Sequence, residues 1–176
     1  EIKPDNFRPE AGALIALHGH GSDRHQCAEH PRGECRELRE AADSRGLLFV
    51  SPDYRAKTPW MGPKAESDIL DLLKRLREEQ GVTQFFFCGA SMGGTSALTF
   101  AARHPDLVAG VVALNPLADH LSYGNFQDAI AASFGGTKAQ KPDEYFEENC
   151  TYLLRNDGTE AEFAEKCKLL YKEVLT

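Results

Sequence analysis

Phe85-Phe86-Phe87-Cys88-Gly89-Ala90-Ser91-Met92-Gly93-Gly94-Thr95-Ser96-Ala97-Leu98-Thr99-Phe100 is the stretch on which the fold turns. It opens as a strand over 83–88, an apolar run of the kind buried on both faces of a sheet. It closes as a helix over 95–104, stopped by Pro105. Between them lies Gly-x-Ser-x-Gly. A serine hydroxyl is a poor nucleophile until a base is aligned with it. A sharp strand-to-helix turn lifts the side chain out of the sheet to meet that base. The turn brings main-chain segments so close that the residues two before and two after the serine must be tiny. Gly89 and Gly93 meet that demand, and Gly94 extends the clearance. The helix N-terminus aims N–H groups and the positive end of its dipole at the same place. Ser91 is therefore the expected nucleophile and the N–H of Met92 an expected oxyanion donor. The plainer alternative is a glycine turn with an incidental serine, and the strand-turn-helix setting speaks against it.

Working outward, strands and helices alternate. Gly12 to Leu17 is a short apolar run ending at His18-Gly19-His20-Gly21-Ser22, a loop. Residues 34–45 read as a helix with Cys35, Leu38, Ala41 and Ala42 on one face and Gly46 as its stop. Residues 47–51 form a buried strand ended by Pro52. Residues 64–79 form a helix whose Ile69, Leu72, Leu73 and Leu76 follow the i, i+3, i+4, i+7 rule. Another strand is expected over 107–114. Residues 150–154 are a candidate fifth strand, and 160–174 read as a helix. Such alternation predicts one domain over 1–176, a three-layer α/β/α sandwich around a mostly parallel sheet. In open parallel sheets the active site lies beyond the carboxyl ends of the strands. The polar motifs fall there. An exposed edge strand in such a sheet invites pairing, so a homodimer is one expectation.

Small residues in the loop after the first strand let a backbone N–H approach a substrate carbonyl, and the His20 N–H is the expected donor. His18 is expected to brace the loop. With Ser51-Pro52-Asp53-Tyr54-Arg55, the stretch Gly89 to Gly94 and the stretch Asn115 to Gly136, this loop resembles α/β-hydrolases of the prolyl-oligopeptidase or esterase-D-like kind. The resemblance covers about residues 11–140 and implies a shortened α/β-hydrolase fold. It also implies hydrolysis of an ester or amide through an acyl-serine, without a cofactor, with a small-molecule ester or peptide as substrate. It places an acid and then a histidine after the serine. Asp157, after the candidate strand 150–154, is the expected acid. Asp119 is a rarer alternative, and Asp119-His120 a conceivable local pair. His104 belongs to the end of the elbow helix, which leaves His120 as the later histidine, and the final strand and histidine loop are read as missing. A catalytically inactive binding protein on the same fold is the competing expectation.

Trp60 follows the Asp53-Tyr54-Arg55 loop and is expected in the cleft or the core. Phe126, Ile130 and Phe134 form a helical stripe, expected as core packing first and an acyl-pocket wall second. Of the 176 residues, 41% are hydrophobic and 27% charged, and the net charge is -7. That is ordinary globular composition, and its acidity argues against nucleic acid as a partner. No apolar run approaches the length of a membrane span. The chain opens at Glu1 without a signal-peptide pattern, so a cytoplasmic or a processed, secreted origin both stay open. Five cysteines leave at least one unpaired. Cys88 is expected as a buried thiol, while Cys27 with Cys35, or Cys150 with Cys167, are candidate disulfides. A zinc site from His25, Cys27, His30 and Cys35 matches no known spacing, so no metal is expected there.

Overall fold

The computed structural model describes residues 1–117, 120 and 123–145. The candidate strand 150–154, the helix 160–174, Asp157, Asp119, Cys150 and Cys167 lie outside the described residues. Four strands, β1 (Ala13–Leu17), β2 (Leu48–Val50), β3 (Phe85–Ala90) and β4 (Gly110–Leu114), form one sheet in the order β2-β1-β3-β4. All three neighbouring pairs are parallel. A lone antiparallel bridge from Ile2 to Phe49 lies against β2. The helices are α1 (His25–Glu29), α2 (Gly33–Arg45), α3 (Pro63–Gln80), α4 (Met92–Arg103) and α5 (Gln127–Phe134).

Strand periodicity sorts the core into two layers. Ala13, Ile15 and Leu17 of β1 and Phe85 and Phe87 of β3 point to one face. There they pack with Ile69, Leu73 and Leu76 of α3, Ala97 and Phe100 of α4, and Ile130 and Phe134 of α5. Leu14, Ala16, Phe49 and Cys88 point to the other face, against Cys27 of α1 and Cys35 and Ala42 of α2. Side chains alternate across a strand, so a continuous apolar run supplies both layers at once. This is the three-layer arrangement with a parallel sheet that the pattern predicts. Gly46 and Gly81 stop α2 and α3 in left-handed conformations that a side chain would strain.

The boundaries differ from the sequence reading in three places. β3 runs to Ala90 rather than 88, and α4 starts at Met92 rather than 95, so the turn between them is a single residue. β4 begins at Gly110 because Pro105–Leu107 form a 3-10 turn first. Residues 25–29, read as loop, form the short helix α1. In the Phe126, Ile130, Phe134 stripe only the last two are buried. Phe126 stands at the N-cap of α5 and is 51% exposed. Val112 and Leu114 of β4 are also exposed. Among the described residues no helix is long and apolar enough to cross a membrane.

A half-buried ion cluster ties α3 to α4. Glu66 accepts from Arg103 Nη1 at 2.6 Å, and its other oxygen lies 2.7 Å from His104 Nε2. Arg103 also donates to the Glu144 carbonyl at 3.1 Å. His104 thus serves α3–α4 packing, at the opposite end of α4 from Ser91. Removing the carboxylate takes an acceptor from both Arg103 and His104. Glu66→Ala is expected to lower stability by about 2 kcal/mol, read as a lower urea midpoint at an unchanged slope.

Candidate active site

Ser91 is the single residue between β3 and α4, exposed, with φ 53° and ψ -124°. That region of conformational space is costly for a residue with a Cβ, and the surroundings hold it there. The Ser91 N–H donates to the Leu114 carbonyl at 2.9 Å, tying the turn to the end of β4. Its carbonyl accepts from the Thr95 N–H at 2.9 Å and the Thr95 hydroxyl at 3.2 Å. Gly89 and Gly93 make the turn possible. A Cβ on Gly89 would overlap the main chain of Gly93, and one on Gly93 would overlap the Leu17 carbonyl and stand 2.8 Å from the His18 oxygen. A Cβ on Gly94 would stand 3.0 Å from the Gly89 oxygen.

The loop after β1 faces this turn. Its peptide groups are pinned one by one. The His18 carbonyl accepts from the buried Tyr54 hydroxyl at 3.0 Å. The Gly19 N–H donates to Gln26 Oε1 at 2.8 Å. The Gly19 carbonyl accepts from the Ser22 N–H at 3.2 Å and stands 3.0 Å from His18 Nδ1. The Gly21 N–H donates to the Lys57 carbonyl at 2.7 Å. What remains is the His20 N–H, which has no acceptor among the described residues. In a trans peptide the N–H and C=O point opposite ways, so anchoring the Gly19 carbonyl fixes the direction of the His20 N–H. The Met92 N–H is the other open donor, at the first position of α4, where no intrahelical carbonyl serves it.

His18 is buried and serves as brace, as its position in the loop leads one to expect. Its ring lies 4.7 Å from that of Tyr54, centroid to centroid. Because a carbonyl accepts from Nδ1, the neutral ring carries its proton on Nδ1. Burial lowers its pKa below the ordinary 6.5, against smaller opposing effects of the Gly19 carbonyl, Asp53 and Asp23.

Ser91 lies where two clefts meet. One, about 470 Å³, is lined by Gly19, His20, Gln26, His30, Arg32 and Ala90, a polar set. The other, about 230 Å³, is walled by Trp60, Met92, Thr95, Pro116, Leu117 and Tyr123. Thr95 also clasps this second wall, accepting the Leu117 N–H at 2.8 Å. Trp60 and Asn115, which line the second cleft with Ser91, share its positive φ, at 42° and 48°. Such strain gathers where a structure is over-determined for a task. An aromatic group surrounds Trp60: His20 at 5.8 Å, Phe126 at 5.9 Å, Tyr123 at 6.2 Å and His120 at 6.3 Å between centroids. A larger groove of about 730 Å³ lies beside β2, between Ser51–Tyr54 and α3, away from Ser91.

The structure therefore brings Ser91, Met92 and His20 to one place. His120 is buried, 5.5 Å from the Phe134 ring, and Ser91 Oγ makes no hydrogen bond among the described residues. Asp157 and Asp119 are not among those residues. Cys27, Cys35 and Cys88 are free, buried thiols. Burial and the adjacent Cys35 push the Cys27 thiol up to about 12. His25 and His30 are exposed, and His25 lies 2.7 Å from Glu29. Among the described residues no three metal-ligating side chains converge. Gln26, Tyr54 and Thr95 carry the site's framework and drew no role from sequence. Tyr54 stands in a motif that could have flagged it, whereas nothing local marks Gln26 or Thr95.

Residues 12–146 match the family described as alpha/beta hydrolase fold, and the chain belongs to that family. Among solved structures, fluorophosphonate-binding serine hydrolase F of Staphylococcus aureus is similar over 96% of this chain and 61% of its own, at 18% identity and a TM-score of 0.55. An S-formylglutathione hydrolase of the same organism is similar over 81% of this chain and 56% of its own, at 20% identity and a TM-score of 0.53. In sequence, a D-fructose 1,6-bisphosphatase class 2/sedoheptulose 1,7-bisphosphatase of Synechococcus sp. (strain CC9902) is 33% identical over 111 residues, 63% of this chain and 32% of its own. The chain spans about a third of the length of the curated relatives it matches.

The brace predicts a pH dependence. Between the lowered native pKa of His18 and 6.5, the unfolded chain binds a proton that the native state does not. Stability from this group is therefore lost as pH falls through 6.5 and levels off below the native value. A melting-temperature series from pH 8 to pH 5 is expected to decline more steeply for the wild type than for His18→Gln, in which this titration is gone.

Proposed function

We propose that the chain is a serine hydrolase acting on a carboxylic ester or amide. The observation that carries this reading is Ser91 held at positive φ on an exposed turn between β3 and α4, beside two backbone N–H groups without acceptors among the described residues. In the proposed reaction Ser91 Oγ attacks the substrate's carbonyl carbon. The carbonyl π electrons move onto oxygen, which the His20 and Met92 N–H groups stabilise as charge develops. The tetrahedral intermediate then expels an alcohol or amine, and water releases the acyl group from Ser91. The serine proton goes to a base. His120, the histidine that follows Ser91 beyond α4, is buried with its ring 6.3 Å from that of Trp60, and no base is hydrogen-bonded to Ser91 Oγ among the described residues. Asp157 stands as the orienting acid by chain order alone. The chemistry calls for no cofactor. The second reading, a binding protein on this fold, draws on the unengaged Ser91 hydroxyl.

A fluorophosphonate probe tests the proposal. The wild type is expected to take one label, mapped by mass to Ser91, and Ser91→Ala none. Ester turnover in Ser91→Ala is expected to fall by about 10³-fold or more. Folded wild-type protein that refuses the probe would sink the enzyme reading and leave the binding protein.

A further inference from the structure

We infer that Gln26 is the residue that aims the oxyanion loop, a positioning residue for the reaction proposed above and dependent on that reading of Ser91. Gln26 lies on α1, not on the loop it controls. Its Oε1 takes the Gly19 N–H at 2.8 Å. Without that acceptor the Gly19 N–H would compete with the His20 N–H for a negative oxygen in the same cleft, since Gly19, His20, Gln26 and Ser91 all line it. With the acceptor in place, one donor is withdrawn and the next is left open.

Gln26 performs this task because α1 is held from several sides. The Gln26 N–H donates to the Asp23 carbonyl at 3.0 Å, and the His25 N–H to Asp23 Oδ1 at 3.1 Å. The Arg24 N–H donates to Asp53 Oδ1 at 2.8 Å, and the Ser51 hydroxyl to the Arg24 carbonyl at 2.7 Å, which fastens the helix start to the end of β2. From α2, Arg39 donates to the Cys27 carbonyl at 2.7 Å and to that of His30 at 3.2 Å. Cys27 is buried against Cys35. The helix is thus a fixed bracket, and the carboxamide is the hydrogen bond it extends to the loop. With Oε1 committed to a donor, the Nε2 amine of Gln26 is turned to its other side, with no acceptor among the described residues.

The test compares wild type, Gln26→Met and Glu29→Ala. Methionine keeps the length and loses the acceptor. Glu29 pairs with His25 on α1, is exposed, and lines neither cleft at Ser91, so its loss controls for damage to the helix. The readouts are the second-order rate of fluorophosphonate labelling at Ser91, the affinity of an alkyl boronic acid that forms a tetrahedral adduct there, and the melting temperature. Gln26→Met is expected to slow labelling and weaken the boronic acid together, each by about 10- to 100-fold. Glu29→Ala is expected to leave both within about twofold. Labelling and boronic-acid affinity in Gln26→Met that match wild type would overturn the proposal. So would equal losses in Glu29→Ala, which would assign the effect to α1 as a whole. A wild type that does not label at Ser91 fails at the earlier step, the nucleophile itself, and is told apart by that.

Discussion

The main-chain contact between the β3–α4 turn and the end of β1 is the constraint on which the rest depends. At Gly93 the backbone of α4 passes so near the Leu17 and His18 carbonyls that no side chain fits. At Gly89 the strand passes as near to the helix it is about to become. Those two contacts decide the distance between the sheet and α4, and hence the shape of both clefts. They also force Ser91 into a conformation that no local preference would select. The strain is offset by bonds on either side, from Ser91 N–H to β4 and from Thr95 to the Ser91 carbonyl.

Polar groups then do for the loop after β1 what glycines do for the turn. Tyr54, His18, Gln26 and the Lys57 carbonyl each take one main-chain group. Tyr54 and Lys57 arrive from the segment between β2 and α3, Gln26 from α1, and His18 from the loop itself. A loop satisfied from so many directions has few alternative conformations to visit. Oxyanion stabilisation needs that rigidity, because donors that must reorganise during the reaction contribute less. The aromatic group around Trp60 closes the opposite side. There His20 contributes its ring to the wall, at 4.4 Å from Phe126, while its N–H is the open donor.

The layers were legible in the sequence because short apolar runs at 12–17, 47–51 and 83–88, alternating with helical stretches, fit buried parallel strands. The helix read over 64–79 was equally plain from its stripe. The tight turn at Ser91 was legible because glycine spacing is a backbone requirement written directly in residue type. Gln26 and Thr95 were not. Their roles arise from contacts across seven and twenty-two residues of chain, and a glutamine or threonine looks the same whether it meets solvent or a main-chain N–H. The short helix α1 was missed for a related reason. Five residues carry too little periodicity to announce a helix, and this one exists through its anchors. The paired thiols Cys27 and Cys35 look like a disulfide by spacing, yet they serve as small apolar packing between α1 and α2.

The brevity of α1 has a further consequence. A helix of five residues has no stability of its own, since nucleation costs more than so few hydrogen bonds return. It persists on contacts with Arg39, Asp53 and the Cys27–Cys35 packing, most of them near solvent. The strands β1 and β2 and the first turns of α4, by contrast, are buried. Opening of α1 therefore requires far less free energy than unfolding of the sheet, and it belongs to the low end of the local stability scale. Because the loop after β1 leans on α1 through Gln26, opening of α1 frees that loop while the sheet still stands. Order around Ser91 and order in the sheet are then lost in two separate events.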